Sequence, residues 1–282
     1  MTGPHVDVPP VGDVHMAAEH PEQRRVTRLW GVGDFAQRPG GAHRHLAGYL
    51  GQVKRVDEGV GRLRDALRSL GTEDRTVLAW TADHGSHFRT RNSEYKRWAH
   101  ESSVRVPLAL TGGGLVRRPV GTVDLMPTLL EAAGIAVPAG VQGRSLLPLT
   151  GGGHDPGRAE SVLVQISEDR VGRAVRTSRW KYVVDAPGAD AWNEPDAEHY
   201  AETELYDLTA DPYELDNLAG LVSHRAVAGG LRAELLEWLA RIEGVEPVVE
   251  RAAPRPAGQR RAEPFPAGAP WEGVRFGHRP AL

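Results

Sequence analysis

The sequence predicts an α/β fold, and three segments support this prediction. Apolar residues recur every three or four positions over His43–Leu70, which indicates a long amphipathic helix. Thr76–Ala82 is rich in apolar and β-branched residues between charged ones, which is typical of a buried strand. Asp83, His84 and Gly85 follow that strand directly, and open α/β sheets bind ligands beyond the carboxyl ends of their strands.

The first half of the chain divides into two predicted units. Residues 1–42 mix proline, glycine, histidine and charge without a period, so we expect an irregular N-terminal segment. Residues 43–155 contain the helix and strand above and a second short strand at Val104–Leu110, which a proline confines to an edge or a bulge. A helix is expected at Asp124–Gly134, where glycine ends it.

The second half of the chain has a different sequence pattern, with several short predicted strands, and it predicts two further units. Residues 156–245 should form a small α+β subdomain, in which an amphipathic helix at Ala226–Ile242 packs on a sheet. Residues 246–282 hold 7 of the 21 prolines and are expected to form an extended tail. The predicted strands are Ser161–Ile166, Gly172–Val175, Trp180–Val184 and Glu204–Leu208.

Composition excludes several classes of protein. The net charge of −3 and the pI of about 6.5 provide no basic field for nucleic acid or anionic lipid. No apolar run approaches the roughly 18 residues of a membrane-spanning helix. The absence of cysteine excludes disulfides, cysteine-ligated zinc, iron–sulfur clusters and a cysteine nucleophile within these residues. Met1–Asp7 lacks the basic and apolar regions of a secretory signal, so a cytoplasmic location is expected.

The tripeptide Asp83-His84-Gly85 is the sharpest local signal. A carboxylate and an imidazole at a strand end can reach one cation, and glycine permits a sharp turn there. The same tripeptide also fits a loop aspartate that caps a helix beside an exposed histidine.

Seven segments, in order along the chain, resemble motifs of the sulfatase family in the alkaline-phosphatase superfamily. They include TADHG, KRWAHESSVRVPL and ELYDLTADPYELDNL as contiguous runs. The seven are Tyr49–Leu63, Thr81–Gly85, Lys96–Leu108, Val123–Gly134, Gln142–Leu146, Ala174–Tyr182 and Glu204–Leu218. The resemblance implies part of an alkaline-phosphatase-like sandwich, a mixed sheet flanked by helices, followed by a small antiparallel sheet subdomain with a packed helix.

The resemblance also implies roles for five residues. Asp83 and His84 match metal ligands, and Lys96 matches a catalytic lysine that faces the sulfate, where a cation neutralises developing charge. His5, in a Pro-His pair, matches a histidine that contacts the sulfate or protonates the leaving group, with an exposed loop histidine as the alternative. His100 occupies a position that is usually aromatic, so it is a candidate for substrate binding or for packing.

The implied cofactors are a divalent metal and a formylglycine nucleophile. Calcium is expected as the metal, although an imidazole ligand leaves manganese or zinc open. Formylglycine is made from cysteine or serine, but the chain has no cysteine and no Ser-x-Pro-x-Arg segment, and no second acidic ligand pair is found. We therefore expect an incomplete metal site, a truncated and inactive form, and exposed apolar surface that depends on an N-terminal half on another chain.

Three functions stay open at this point. The resemblance favours hydrolysis of sulfuric esters, with a small-molecule or glycan sulfate ester as substrate. A phosphoester or phosphonate hydrolase of the same superfamily is the first alternative, because an Asp-His pair and a lysine also suit phosphoryl transfer. A non-catalytic partner or binding subunit is the second.

Overall fold

The computed structural model describes residues 41–86 and 96–255, with side chains from residue 47 onward. The strands of this part form two separate sheets. The helices are α1 Gly41–Ser69, α2 Glu101–Val104, α3 Leu125–Ala132, α4 Leu147–Thr150 and α5 Arg225–Ile242, with single 3-10 turns at Glu73–Arg75, Thr122–Asp124 and Val222–His224. The strands are β1 Ala79–Thr81, β2 Leu108–Leu110, β3 Val162–Ile166, β4 Gly172–Arg176, β5 Trp180–Asp185, β6 His199–Asp207 and β7 Val248–Glu250. None of the helices seen here has the length and apolarity needed to cross a bilayer.

Helix α1 confirms the predicted long helix but leaves its apolar stripe open to solvent. Gly71, with φ of +64°, follows the helix in the left-handed conformation that glycine adopts readily. The apolar side chains along α1 that are at least two-fifths exposed are Tyr49, Leu50, Val53, Val56 and Leu63. Apolar surface is therefore exposed along this helix.

The strand predicted at Thr76–Ala82 is shorter than expected, and it is exposed rather than buried, as expected if its neighbouring strands are missing. Only Ala79–Thr81 is extended, and all three residues are exposed, Trp80 by 42%. This strand pairs antiparallel with β2 alone, in the register Ala79↔Leu110, and no other strand in the described ranges extends the pair. The predicted strand at Val104–Leu110 is also shortened, because Pro107 cannot donate to a ladder and strand geometry begins only after it.

The C-terminal sheet confirms the predicted antiparallel subdomain with a packed helix. Its strand order is β3-β4-β5-β6-β7, with antiparallel pairing from β3 to β6 and parallel pairing between β6 and β7. Leu235 and Leu239 of α5 are fully buried against Tyr182 and Leu205 of the sheet. The helix thus covers one face of the sheet and forms the main core.

The expected tail beginning at residue 246 is corrected at its start. Val248–Glu250 is not tail but the edge strand β7, which pairs with His199–Ala201 of β6. Val249 is partly buried against the main core, while Val248 and Glu250 are exposed, and this alternation explains why so short a segment joins the sheet. The residues beyond 255 lie outside the described part.

Candidate functional site

A cleft of about 1310 Å³ brings three of the predicted site residues together. Its walls come from β2, from β3 and from the segments on either side of them. Asp83, His84 and Lys96 all line this one cleft. Side chains 12 or 13 positions apart in the sequence therefore face the same space.

His84 lies at the centre of this group. Its Nε2 atom is 3.1 Å from Lys96 Nζ and 3.2 Å from Asp83 Oδ2, and its Nδ1 atom is 2.7 Å from the Gly85 carbonyl oxygen. A carbonyl can only accept, so Nδ1 donates to Gly85, whereas Nε2 lies between an ammonium donor and a carboxylate acceptor and can pair with either one. The half-buried imidazole therefore contacts both charged side chains of the group.

The carboxylate of Asp83 is held in its charged form. The pKa of Asp83 is lowered mainly by a hydrogen bond from the His84 backbone, with smaller contributions from the charges of His84 and Lys96 that together outweigh burial. Its side chain is 85% exposed, so an oxygen donor is presented to the cleft rather than consumed in packing. Charge and access are both suited to binding a cation or orienting a polar substrate.

Gly85 fixes this tripeptide against helix α2. A Cβ atom at Gly85 would lie 2.1 Å from the Ser102 carbonyl oxygen, far inside van der Waals contact. The Gly85 N–H donates to the Ser103 carbonyl oxygen at 2.7 Å. The sequence therefore needs glycine here because the end of the strand touches the backbone of α2.

The residues after Lys96 anchor the site to the C-terminal sheet. Arg97 forms an ion pair with Glu168, and Trp98 donates its indole N–H to Glu204 at 2.7 Å. The guanidinium of Arg170 lies 3.1 Å from the centre of the Trp98 ring, a cation–π contact. The lysine of the site is thus followed at once by two residues fixed on the other sheet.

His100 packs between aromatic rings. It is buried, stacks on Trp98 with 5.9 Å between ring centres and 13° between planes, and contacts Tyr206 at 5.8 Å. This geometry matches the packing alternative given by the sequence, and the substrate-binding role of His100 stays a prediction. His5, the other predicted substrate contact, lies outside the described residues.

A buried charge cluster beside the site was missed by sequence reasoning. Lys181 Nζ is fully buried and contacts Glu101 Oε1 at 2.8 Å and Glu214 Oε1 at 2.6 Å. Arg176 donates to Glu101 Oε2 at 2.9 Å. Burial raises the pKa of Glu101, but the Arg176 hydrogen bond and the Lys181 charge outweigh it and lower the pKa to about 2.

The two predicted metal ligands, Asp83 and His84, have few neighbouring donor groups in the described part of the chain. Among residues 47–86 and 96–255, no group of three or more histidine, aspartate or glutamate side chains could hold a metal ion. Asp83 and His84 supply two donors, and the ammonium group of Lys96 already contacts His84 Nε2. Calcium takes six to eight oxygen ligands, so these residues alone do not fit a metal site.

Comparisons with known proteins agree on one family. A family model described as N-sulphoglucosamine sulphohydrolase, C-terminal, matches residues 93–241, and the Sulfatase model matches residues 4–135. A choline-sulfatase of Rhizobium meliloti is 30% identical over 75% of this chain and 40% of its own length. Arylsulfatase K of Mus musculus is 32% identical over 61% of this chain and 32% of its own length.

Solved structures show the same relationship in three dimensions. A structure described as a 2-O GAG sulfatase superposes with a TM-score of 0.64 at 25% identity, covering 84% of this chain and 50% of that one. A phosphonate monoester hydrolase of Agrobacterium radiobacter superposes with a TM-score of 0.56 at 26% identity, covering 69% of this chain and 41% of that one. These neighbours confirm the alkaline-phosphatase-like α/β fold expected from the sequence.

The extent of these matches defines what the chain represents. It spans about a third to two-fifths of the length of the curated relatives named above. Members of the family generally use a divalent metal. Because the C-terminal sulphohydrolase model alone covers more than half of the chain, this protein belongs to the sulfatase family and corresponds to the C-terminal portion of its members.

Proposed function

We propose that this chain contributes the sulfate-facing lysine and the Asp-His pair of a sulfatase active site, which hydrolyses sulfuric esters. The contact of Lys96 with His84 at 3.1 Å, within one cleft that Asp83 also lines, supports this proposal most directly. Asp83 and His84 lie in the range that the Sulfatase model matches, and Lys96 lies in the range that both family models match.

The chemistry expected of these side chains is electrostatic. An ammonium group on Lys96 stabilises the negative charge that develops on a sulfuryl oxygen or on the leaving oxygen. His84 Nε2 contacts and orients that ammonium group. The Asp83 carboxylate adds a negative charge that offsets part of the positive charge of the site. We infer calcium as the metal of the assembled site, although Asp83 and His84 would need further donors to hold it.

Turnover requires a nucleophile that these residues do not include. The 282 residues contain no cysteine and no Ser-x-Pro-x-Arg segment, either of which formylglycine formation would need. We therefore expect the isolated chain to bind the sulfate group without hydrolysing its ester. An N-terminal half supplied on another chain would restore turnover.

The test is sulfate binding to the full chain by calorimetry. Lys96→Met should weaken the binding of inorganic sulfate by about tenfold, which corresponds to about 1.4 kcal/mol. Lys54→Met is the matched control, since Lys54 is a 78%-exposed lysine on α1 and should leave the affinity unchanged. Equal sulfate affinity in Lys96→Met and the wild type would contradict the proposal.

Hydrolysis of phosphonate monoesters is the second candidate, supported by the structural match to a hydrolase of that class. The same lysine would then stabilise phosphoryl oxygens. Competition between inorganic sulfate and phenylphosphonate separates the two functions, and a clear preference for sulfate is expected. A preference for phenylphosphonate would favour the second candidate.

A further inference from the structure

We propose that Lys181 and Glu214 are positioning residues for the site, acting through the segment 96–104. Neither lines the cleft, whereas Glu101, Asp83, His84 and Lys96 do. Both instead hold Glu101, the first residue of α2. The inference rests on the proposed function only in taking the cleft with Lys96 and His84 as the active site.

The first step is the buried contact with Glu101. Lys181 bridges the Glu101 and Glu214 carboxylates, and the other Glu214 oxygen accepts the Glu101 backbone N–H at 2.8 Å. Side chain and backbone of one residue are therefore fixed by the same pair. Glu214 has a φ of +55°, an unfavourable conformation for a residue with a side chain, and it is 1% exposed.

The second step is the connection of α2 to both residues of the Lys96–His84 contact. Ser102, next after Glu101, lies against Gly85, and the Ser103 carbonyl oxygen accepts the Gly85 N–H, which places His84. On the other side only four residues separate Glu101 from Lys96, and Trp98 donates its backbone N–H to the Lys96 carbonyl oxygen at 2.7 Å. A displacement of α2 therefore moves both members of the Lys96–His84 contact.

The energetics favour a positioning role over simple stabilisation. Buried ion pairs lose about as much free energy in desolvation as they gain in attraction, and apolar residues of similar volume are often equally stable. A fully buried lysine between two carboxylates nevertheless allows very few geometries, because every partner must be met. Such a cluster is better suited to fixing α2 than to adding net stability.

The experiment compares Lys181→Met with Arg173→Met in the full chain. Arg173 is an equally buried cation of the same sheet, but its bonds go to Glu243, Gly172 and Pro195 rather than to α2. Two quantities are measured, the affinity for inorganic sulfate and the hydrogen-exchange rates of the backbone amides of residues 83–86. Circular dichroism confirms that each variant is folded.

Lys181→Met should lower sulfate affinity by about tenfold and accelerate exchange at residues 83–86 by at least about tenfold. Arg173→Met should change both by less than about twofold. Equal effects of the two substitutions would reduce Lys181 to a general structural role and overturn the proposal. If wild-type chain fails to bind sulfate, the proposed function fails, while the exchange rates still decide the positioning role.

Glu214→Gln serves where Lys181→Met does not fold. Its single amide oxygen can still accept the Glu101 N–H, although its NH2 group no longer accepts from Lys181, which keeps its contact with Glu101. Glu214→Leu removes both acceptors at similar size. Glu214→Gln should keep exchange at residues 83–86 within about threefold of wild type, and Glu214→Leu should accelerate it by about tenfold or more. Unchanged exchange in Glu214→Leu would overturn the proposal.

Discussion

Gly85→Ala is the sharpest perturbation of the candidate site. The new Cβ would lie 2.1 Å from the Ser102 carbonyl oxygen, whereas unstrained carbon–oxygen contacts begin at about 3.3 Å, so one backbone must move by about 1 Å. Overpacking of this kind costs about 1–3 kcal/mol, and loss of the bond to the Ser103 carbonyl adds about 1 kcal/mol. Alanine also lowers the conformational entropy of the unfolded chain, which stabilises the folded state by about 0.4–1 kcal/mol. We expect a net loss of about 1–4 kcal/mol.

The assay is urea unfolding of the full chain, together with hydrogen exchange at residues 83–86. Gly61→Ala is the control, because nothing lies within 4 Å of a Cβ at Gly61 in helix α1. That control should gain up to about 1 kcal/mol from helix propensity. If Gly85→Ala matches wild type in both unfolding and exchange, the strand end and α2 are not in tight contact and the reasoning fails.

Two further predictions concern pH. Burial raises the pKa of Glu204 to about 7; the charge of Arg170 opposes this shift and that of Asp185 adds to it. The folded state therefore keeps the Glu204 proton as pH rises above about 4.5, where the unfolded chain loses it. The free energy of unfolding should fall by about 3 kcal/mol between pH 4.5 and 7, and Glu204→Gln should flatten that fall in urea titrations. Conversely, the pKa of Glu101 is lowered to about 2, so its stabilisation is complete above about pH 4.5 and is lost as pH falls toward 2. Acid unfolding of Glu101→Gln should show a correspondingly smaller dependence on pH over that interval.

The C-terminal sheet could be predicted from sequence because its strands are short runs rich in β-branched and aromatic residues, separated by turn residues. The strand β4 was predicted as Gly172–Val175 and observed as Gly172–Arg176. The strand β6 begins at His199, five residues before the predicted Glu204, because its first half contains polar residues that look exposed. Glu202 in that half is in fact buried and accepts a hydrogen bond from the Tyr182 hydroxyl at 3.2 Å.

Part of the candidate site could be predicted from local sequence motifs, and part depends on contacts between residues far apart in the sequence. Asp83, His84 and Lys96 are found by motif because they lie within 14 positions of each other. The residues that hold the site in place cannot be recognised from local sequence patterns. Glu214 accepts a hydrogen bond from Glu101, 113 positions away, and Glu204 accepts one from Trp98, 106 positions away. A glutamate in or after a strand ordinarily indicates an exposed face, and only the fold brings its partner into the interior.

The rigidity of the site must come from the C-terminal sheet and not from the strand that precedes Asp83. Strand β1 is exposed along its length and pairs only with β2 in the described ranges, and a two-stranded ribbon is marginally stable in water. Ala99, by contrast, is 1% exposed in a core cluster with Ala174 and Val183 of β4 and β5. The segment 96–104 is therefore packed into a five-stranded sheet, and it holds His84 through Gly85. A substitution that loosens β1 should disturb the Lys96–His84 contact less than one that frees Ala99.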